Sequence, residues 1–181
     1  MAGPWAGNLR PELSQGDLLS PVPVGSVAAP ERHLKRGATQ KHGVLTWQET
    51  GVWHPEPDGR GLFLALGRKL NAVVLSHDCE IDKEKRLLVA PVLPMDPITG
   101  DALEAVRSGK RYPFMPLPEI PDVLTESYVD LRGTCFVERK LIDDASRLCS
   151  MSDDGVERLQ AQLIAYFTHI PLSELRIPPT K

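Results

Sequence analysis

The sequence lacks several features that would place it in a specialised class of protein. No apolar run approaches the roughly 20 residues that span a bilayer, so we expect no membrane partner. The first residues carry neither a basic start nor an apolar core, so we expect no secretory signal peptide. There are only three cysteines, and their spacing is not that of a metal site. We therefore predict a cytoplasmic protein with reduced thiols, no metal and no cofactor.

An excess of positive charge is also missing, because 24 acidic residues face 21 basic ones and the net charge is -3. This balance argues against non-specific coating of nucleic acid and leaves room for a local basic patch. Proline is abundant, with 17 residues, which favours short elements separated by turns and hence a β-rich fold. For the 181 residues we predict a flexible segment over 1–14, one domain over 15–170 with an insertion at about 30–66, and a tail over 171–181.

The stretch 71–82 organises our interpretation of the chain. Residues 72–76 form a short apolar and β-branched run, typical of a buried strand. Four polar side chains follow directly: His77, Asp78, Cys79 and Glu80. A buried strand that ends in such residues presents reactive groups on a rigid support.

Further elements follow from the same kinds of pattern. Residues 15–19 lead into a strand that Pro21 and Pro23 should end or confine to a sheet edge. Residues 87–90 predict an antiparallel partner of the central strand, ended by Pro91. Other predicted elements are a hairpin of 44–47 with 51–54, strands at 126–131 and 134–138, a helix at 101–107 capped by Gly109, and a final helix capped by Ser152 whose apolar face comprises Val156, Leu159, Leu163, Ile164 and Phe167.

Residues 30–43 are polar and basic and predict a long mobile loop. Cations of this kind bind phosphates, so the loop is a candidate nucleic-acid surface, and a solvated loop that protects a sheet edge is the alternative. Trp47, Trp53 and Tyr112 could stack bases or belong to a core or an interface. The candidate nucleic-acid-binding residues are Arg32, His33, Lys35, Arg36, Lys41 and Lys69.

The order of several short motifs resembles that of the PemK and MazF growth-inhibitor toxins. The motifs are residues 16–19 (Gly-Asp-Leu-Leu), 67–69 (Gly-Arg-Lys), 72–76 (Ala-Val-Val-Leu-Ser), 88–92 (Leu-Val-Ala-Pro-Val), 129–131 (Val-Asp-Leu), 147–148 (Arg-Leu) and the final helix. The resemblance implies a mainly β, α+β fold: a small, SH3-like bent barrel with a C-terminal helix, commonly a homodimer. It also implies a bacterial, metal-independent endoribonuclease that cuts single-stranded RNA and is neutralised by an antitoxin. The family's site arginine maps onto Arg68, whereas its site threonine maps onto Leu93, and Asn71 stands where proline is expected.

Metal-free RNA cleavage needs a base, an acid and a cation that faces the crowded phosphate. We predict that Arg68 is the cation and that His77 is base or acid, with Asp78 or Glu80 orienting it or sharing the role. Cys79 could pair with His77 as a nucleophile, because residues two apart share a face in an extended chain. The alternatives are a solvated polar turn and a small core thiol. The alternative function is a non-catalytic protein-interaction subunit of a bacterial or phage multi-protein system.

Overall fold

The computed structural model describes residues 4–6, 8–25, 32–41, 44–50, 62–64 and 67–174, with the side chains of 25–67 and of Ser173 left out. The chain divides into two compact units, one of Met1–Val24 with Lys69–Lys181 and one of Gly25–Arg68. The described helices are α1 (Asp78–Ile81), α2 (Gly100–Arg107) and α3 (Asp153–Thr168). The described strands are β1 (Leu18–Gly25), β2 (Arg32–Lys41), β3 (Val44–Thr50), β4 (Leu62–Leu64), β5 (Gly67–Val74), β6 (Arg86–Pro94), β7 (Phe114–Leu117), β8 (Ser127–Asp130), β9 (Cys135–Glu138) and β10 (Arg147–Cys149).

The first unit is built on a seven-stranded antiparallel sheet with the order β10-β1-β5-β6-β8-β7, and β9 pairs with β6 beside this path. The predicted α+β class with a C-terminal helix is confirmed. The sheet is open within the described residues, because the end strands β10 and β7 do not pair with each other. The bent barrel implied by the resemblance is therefore not closed over the described strands.

Strands β5 and β6 form the centre of this sheet, as predicted, with Val73 opposite Ala90. The prediction that Pro91 ends the second strand is wrong, because β6 continues to Pro94. The Leu88 carbonyl accepts a hydrogen bond from the Leu75 amide, so the backbone polar groups of Leu88 point toward β5. Because these groups alternate sides along a strand, the nitrogen of Pro91, three residues later, points away from β5. There β9 pairs only as far as Val89 and β8 begins to pair at Val92, so no ladder bond is lost.

Strand β1 also runs through its prolines, against the prediction that they end it or confine it to an edge. It lies between β10 and β5 in the sheet order. Its pairing with β10 involves only Leu18 and Leu19, before the first proline. A proline beyond that point breaks no bond to β10.

Both faces of the sheet are covered by apolar side chains. Leu18 and Val73 belong to one core cluster, which includes Leu159 of α3. Leu19 and Val74 point to a second cluster, which includes Ile81 of α1. Successive residues of a strand thus enter different cores, which explains why the central strand is apolar without alternation.

Helix α3 begins as predicted, since the Ser152 hydroxyl oxygen accepts from the Gly155 amide at 3.2 Å. The predicted apolar face is wrong in part. Leu159 is fully buried, but Ile164 is 49% exposed and Phe167 is 65% exposed. The buried face instead includes Gly155, Leu159, Ala161, Gln162 and Ala165.

Helix α2 and its glycine agree with the prediction. Gly109, two residues after the helix, has φ of +68° and its amide donates to the Val106 carbonyl at 3.0 Å. Residues 4–6 and 8–14, which show no periodicity in the sequence, also take defined positions. Trp5 forms a bridge with Met151, and the Ala6 amide donates to the Ser150 carbonyl at 2.8 Å.

The second unit contains a three-stranded sheet with the order β3-β2-β4. The predicted mobile loop is therefore wrong over residues 32–41, which form β2. Strand β2 pairs antiparallel with β3, with Arg36 opposite Trp47 and His33 opposite Thr50. The predicted partner of 44–47, residues 51–54, lies outside the described residues, as do residues 42–43.

Candidate functional site

His77 comes three residues after β5 and is the N-cap of the short helix α1. Its backbone is extended, and its Nδ1 accepts a hydrogen bond from the Cys79 amide at 3.2 Å. Cys79 Sγ lies 3.1 Å from the same nitrogen. The structure thus brings the predicted imidazole and thiol together, through a helix cap rather than through an extended chain.

Asp78 is held away from this pair by a different set of bonds. Its Oδ1 accepts from the Gln15 amide at 2.6 Å, and its Oδ2 lies 4.0 Å from Arg10 NH1. Arg10 NH2 in turn contacts Asp153 Oδ1 at 2.6 Å. The described hydrogen bonds therefore make Asp78 a tie between α1 and the N-terminal segment, and they include none from Asp78 to His77.

A concave surface of about 940 Å³ opens beside the imidazole; we call it the His77 concavity. Glu80 lines it together with His77, so of the two predicted carboxylates, Asp78 and Glu80, it is Glu80 that shares a surface with the imidazole. Cys79 is not among its lining residues. The lining comprises Leu75, Ser76, His77, Glu80, Lys83, Glu84, Lys85, Arg86, Leu88, Phe136 and Glu138.

Phe136 is the unexpected member of this surface. It lies in β9 opposite Leu88 of β6, and 66% of its surface is exposed. Its neighbour Val137 is buried in the second core cluster. The alternation of a strand predicts that one of these two residues faces outward, but the sequence did not indicate that the outward one would be aromatic and beside His77.

The charges of the His77 concavity are mixed. Lys83, Lys85 and Arg86 supply three cations. Glu80, Glu84 and Glu138 supply three carboxylates, and Glu138 is engaged by Arg86 at 3.3 Å and by Lys140 at 3.7 Å. Because Arg86 is engaged by Glu138, Lys83 and Lys85 are the cations best placed to meet a phosphate.

The remaining predicted site residues occupy different parts of the chain. Arg68 is the second residue of β5, is exposed and belongs to the second unit, whereas His77 follows the other end of that strand. Their pairing stays a prediction. Lys69 is exposed in the first unit. The basic residues Arg32, His33, Lys35, Arg36 and Lys41 all lie in β2, and their binding to nucleic acid also stays a prediction.

The other two cysteines are partly buried and show no link to the His77 concavity. Burial, with a smaller effect of the Asp17 charge, raises the pKa of the Cys149 thiol to about 12. Among the described residues, no three His, Cys, Asp or Glu side chains are placed to hold a metal ion. Leu93, at the position of the family's threonine, lies in β6 opposite Tyr128.

A buried ion pair joins two of the motifs that carry the resemblance. Asp17 Oδ2 lies 3.0 Å from Arg147 NH2, and their side chains are 0% and 6% exposed. Arg147 NH2 also donates to the carbonyls of Arg10 and Glu12 at 2.7 and 2.9 Å. The pair therefore fixes the N-terminal segment against β10, and the geometry indicates a structural role.

Comparisons with known proteins add no identity to this geometry: no protein-family model matches the chain, and no curated protein matches it. The likeness to PemK and MazF toxins therefore stays a hypothesis. Within the described part of the chain, no helix combines the length and the apolar character needed to cross a membrane.

Proposed function

We propose that the chain binds single-stranded RNA at the His77 concavity and cleaves it without a metal, in the manner of a toxin-like endoribonuclease. The observation that carries the proposal is the exposed ring of Phe136 on the same surface as His77, Lys83 and Lys85. An exposed aromatic ring stacks on bases, and lysines meet the phosphates on either side. An imidazole supplies proton transfer near neutral pH.

The Cys79 amide and thiol both contact His77 Nδ1, at 3.2 and 3.1 Å, so Nε2 is the ring nitrogen left to exchange a proton with a substrate. We assign the protonated imidazolium of His77 as the acid and the Glu80 carboxylate as the base. The 2′-oxygen loses its proton to Glu80 and attacks phosphorus, while the bond from phosphorus to the 5′-oxygen breaks. The leaving oxygen takes the Nε2 proton of the His77 imidazolium, which becomes neutral imidazole, and the products are a cyclic phosphate and a 5′-hydroxyl.

The test is a cleavage assay on a 5′-labelled single-stranded RNA of mixed sequence, in EDTA. Wild-type protein should cut, His77→Asn and Glu80→Gln should each lose most activity, and His169→Asn should match wild type. His169 is an exposed histidine that does not line the concavity, so it controls for the substitution itself. Cutting that survives in His77→Asn would reject the assigned acid.

Binding is measured separately, by fluorescence anisotropy with the same RNA. Phe136→Ala should weaken binding at least severalfold, since stacking contributes about 1–3 kcal/mol per base. Two lysine contacts predict a slope of log affinity against log salt of about -1.4. Binding without cutting would leave an RNA-binding relative, which is the weaker form of the proposal.

The non-catalytic protein-interaction subunit is the second candidate, and one observation favours it. Ile164, Phe167 and Ile170 are exposed together at the end of α3 and its following turn. If this patch joins two copies of the chain, Phe167→Asp should lower the mass measured by sedimentation at micromolar concentration. A wild-type protein that neither binds RNA nor self-associates would remove support from both candidates.

A further inference from the structure

A second cavity of about 630 Å³ lies in the first unit, lined by residues from β7, the end of α2 and α3. None of its lining residues belongs to the His77 concavity. Its volume falls within the roughly 300–1,000 Å³ of known small-molecule sites. It is therefore large enough for a ligand of its own.

The walls of this cavity are mainly apolar. Pro116, Pro118 and Leu172 present apolar surface to it, whereas Met95, Met115 and Leu117 lie behind that surface and are 3%, 4% and 0% exposed. Ala161 of α3 contributes a small side chain, which leaves space beside the helix. Such a lining fits a flexible hydrocarbon body.

The charged side chains of the cavity indicate the charge of the head group that it would accept. Arg107 Nε donates to Glu126 Oε1 at 2.8 Å, and a second bond joins Arg107 NH2 to Oε2. The Arg107 guanidinium holds the pKa of Glu126 below its usual value, so this pair is neutral as a whole near pH 7. Arg158 lines the same cavity, is exposed and forms no ion pair within the described residues. The cavity thus holds one uncompensated positive charge.

A buried amide adds to this picture. Gln162 lines the cavity and is 3% exposed, and its Nε2 donates to the Tyr112 carbonyl at 2.6 Å. This bond fixes the side-chain amide in one orientation at the wall. A polar group held in this way among apolar walls is typical of a ligand site, where a few placed groups orient the molecule.

We propose that this cavity binds a small amphipathic carboxylate, with its hydrocarbon body against Pro116, Pro118 and Leu172 and its carboxylate on Arg158. A guanidinium matches the planar carboxylate with two parallel hydrogen bonds. The proposal concerns a site separate from the RNA surface and does not rest on the proposed ribonuclease activity.

The probe is octanoate, with octan-1-ol and octyltrimethylammonium as ligands that keep the tail and change the head. The readout is the NMR spectrum of ¹³C-methyl methionine, of which the chain has four residues. Octanoate should shift the methyl signals of Met95 and Met115 and leave Met151, which is buried away from the cavity, unchanged. Octan-1-ol should bind about tenfold more weakly and the cation weaker still, because a hydrogen bond to a charged group is lost.

Two variants and a control make the test specific. Arg158→Glu, at an exposed position that should not disturb folding, should weaken octanoate binding at least about tenfold. Ala161→Trp should abolish it by filling the cavity. Arg86→Glu, on the His77 concavity, should leave octanoate binding unchanged and weaken RNA binding.

Three outcomes would overturn the proposal. These are no shift at Met95 and Met115, equal binding of octanoate and octyltrimethylammonium, and unchanged octanoate affinity in Arg158→Glu. Failure of RNA binding alone would leave the carboxylate site unaffected.

Discussion

Removal of the Asp17 carboxylate should be among the most destabilising single changes in the first unit. Asp17→Ala leaves the Arg147 guanidinium, 6% exposed, without its buried anionic partner, and the remaining carboxylate, Asp144, lies 3.9 Å from NH1 and is fully exposed. Breaking a buried ion pair from one side costs about 3–5 kcal/mol. Each kcal/mol lowers the melting temperature of a chain of this size by roughly 2–4 °C, so we expect a fall of about 6–20 °C.

The magnitude rests on burial, and a second ion pair tests that reasoning. Arg107 and Glu126 form a pair with two hydrogen bonds, one to each carboxylate oxygen, but their side chains are 46% and 40% exposed. Water solvates the charge that remains when one partner is removed, so Glu126→Ala should lower the melting temperature far less than Asp17→Ala.

A double variant separates the attraction within the pair from the cost of an orphaned charge. Asp17→Leu combined with Arg147→Met removes both charges and keeps apolar volume, so it should be more stable than Asp17→Ala alone. The Asp17 Oδ1 atom has no hydrogen-bond partner in the described part of the chain, so the native pair itself is incompletely satisfied. Melting is followed by circular dichroism and calorimetry. The reasoning is refuted if Asp17→Ala melts within about 2 °C of wild type, which is less than 1 kcal/mol, or if the double variant is the least stable of the set.

Four further predictions follow from other contacts. Gly155→Ala should destabilise the chain by about 1–3 kcal/mol in urea unfolding, since its new Cβ would clash with the Pro4 carbonyl oxygen. A change within about 0.5 kcal/mol would count against that close approach. Iodoacetamide at pH 8 should label exposed Cys79 well before Cys149, as judged by mass spectrometry, because burial keeps the Cys149 thiol protonated. The raised pKa of Cys149 predicts that the contribution of this thiol to the free energy of unfolding is constant below about pH 9. This contribution should fall between about pH 9 and 12, because the thiol ionises first in the unfolded chain, and Cys149→Ala should remove that part of the fall. Asp78→Asn should keep RNA affinity within about twofold, because its carboxylate bonds to the N-terminal segment rather than to the imidazole; a loss as large as that of His77→Asn would contradict this placement.

Local patterns were sufficient where the physical cause is local. The Ser152 cap, the positive φ at Gly109 and the antiparallel pairing of β5 with β6 all depend on residues close in the chain. The predicted strands at 126–131 and 134–138 correspond to β8 and β9 for the same reason. Capping, turn conformation and strand propensity act within a few residues, so the sequence displays them directly.

Pairing partners were harder to predict. Residues 32–41 show no clean alternation, and only their register with β3 and β4 makes them a strand. Pro91 was expected to end β6, and the strand continues because its neighbours leave a gap at that point. A ladder is a property of two segments, so the sequence of one segment does not determine it.

The sequence by itself determined the α+β class, the central strand with His77 and Cys79 after it, and the start of the final helix. Only the tertiary structure decided that Phe136 joins His77 on one surface, that Asp78 turns to Gln15, and that Asp17 meets Arg147 across 130 positions. It also decided which side of α3 is buried, since Ile164 and Phe167 have the same helical spacing as core residues. The reason is physical: burial and contact depend on which surfaces meet after folding, and residues far apart in the chain supply those surfaces.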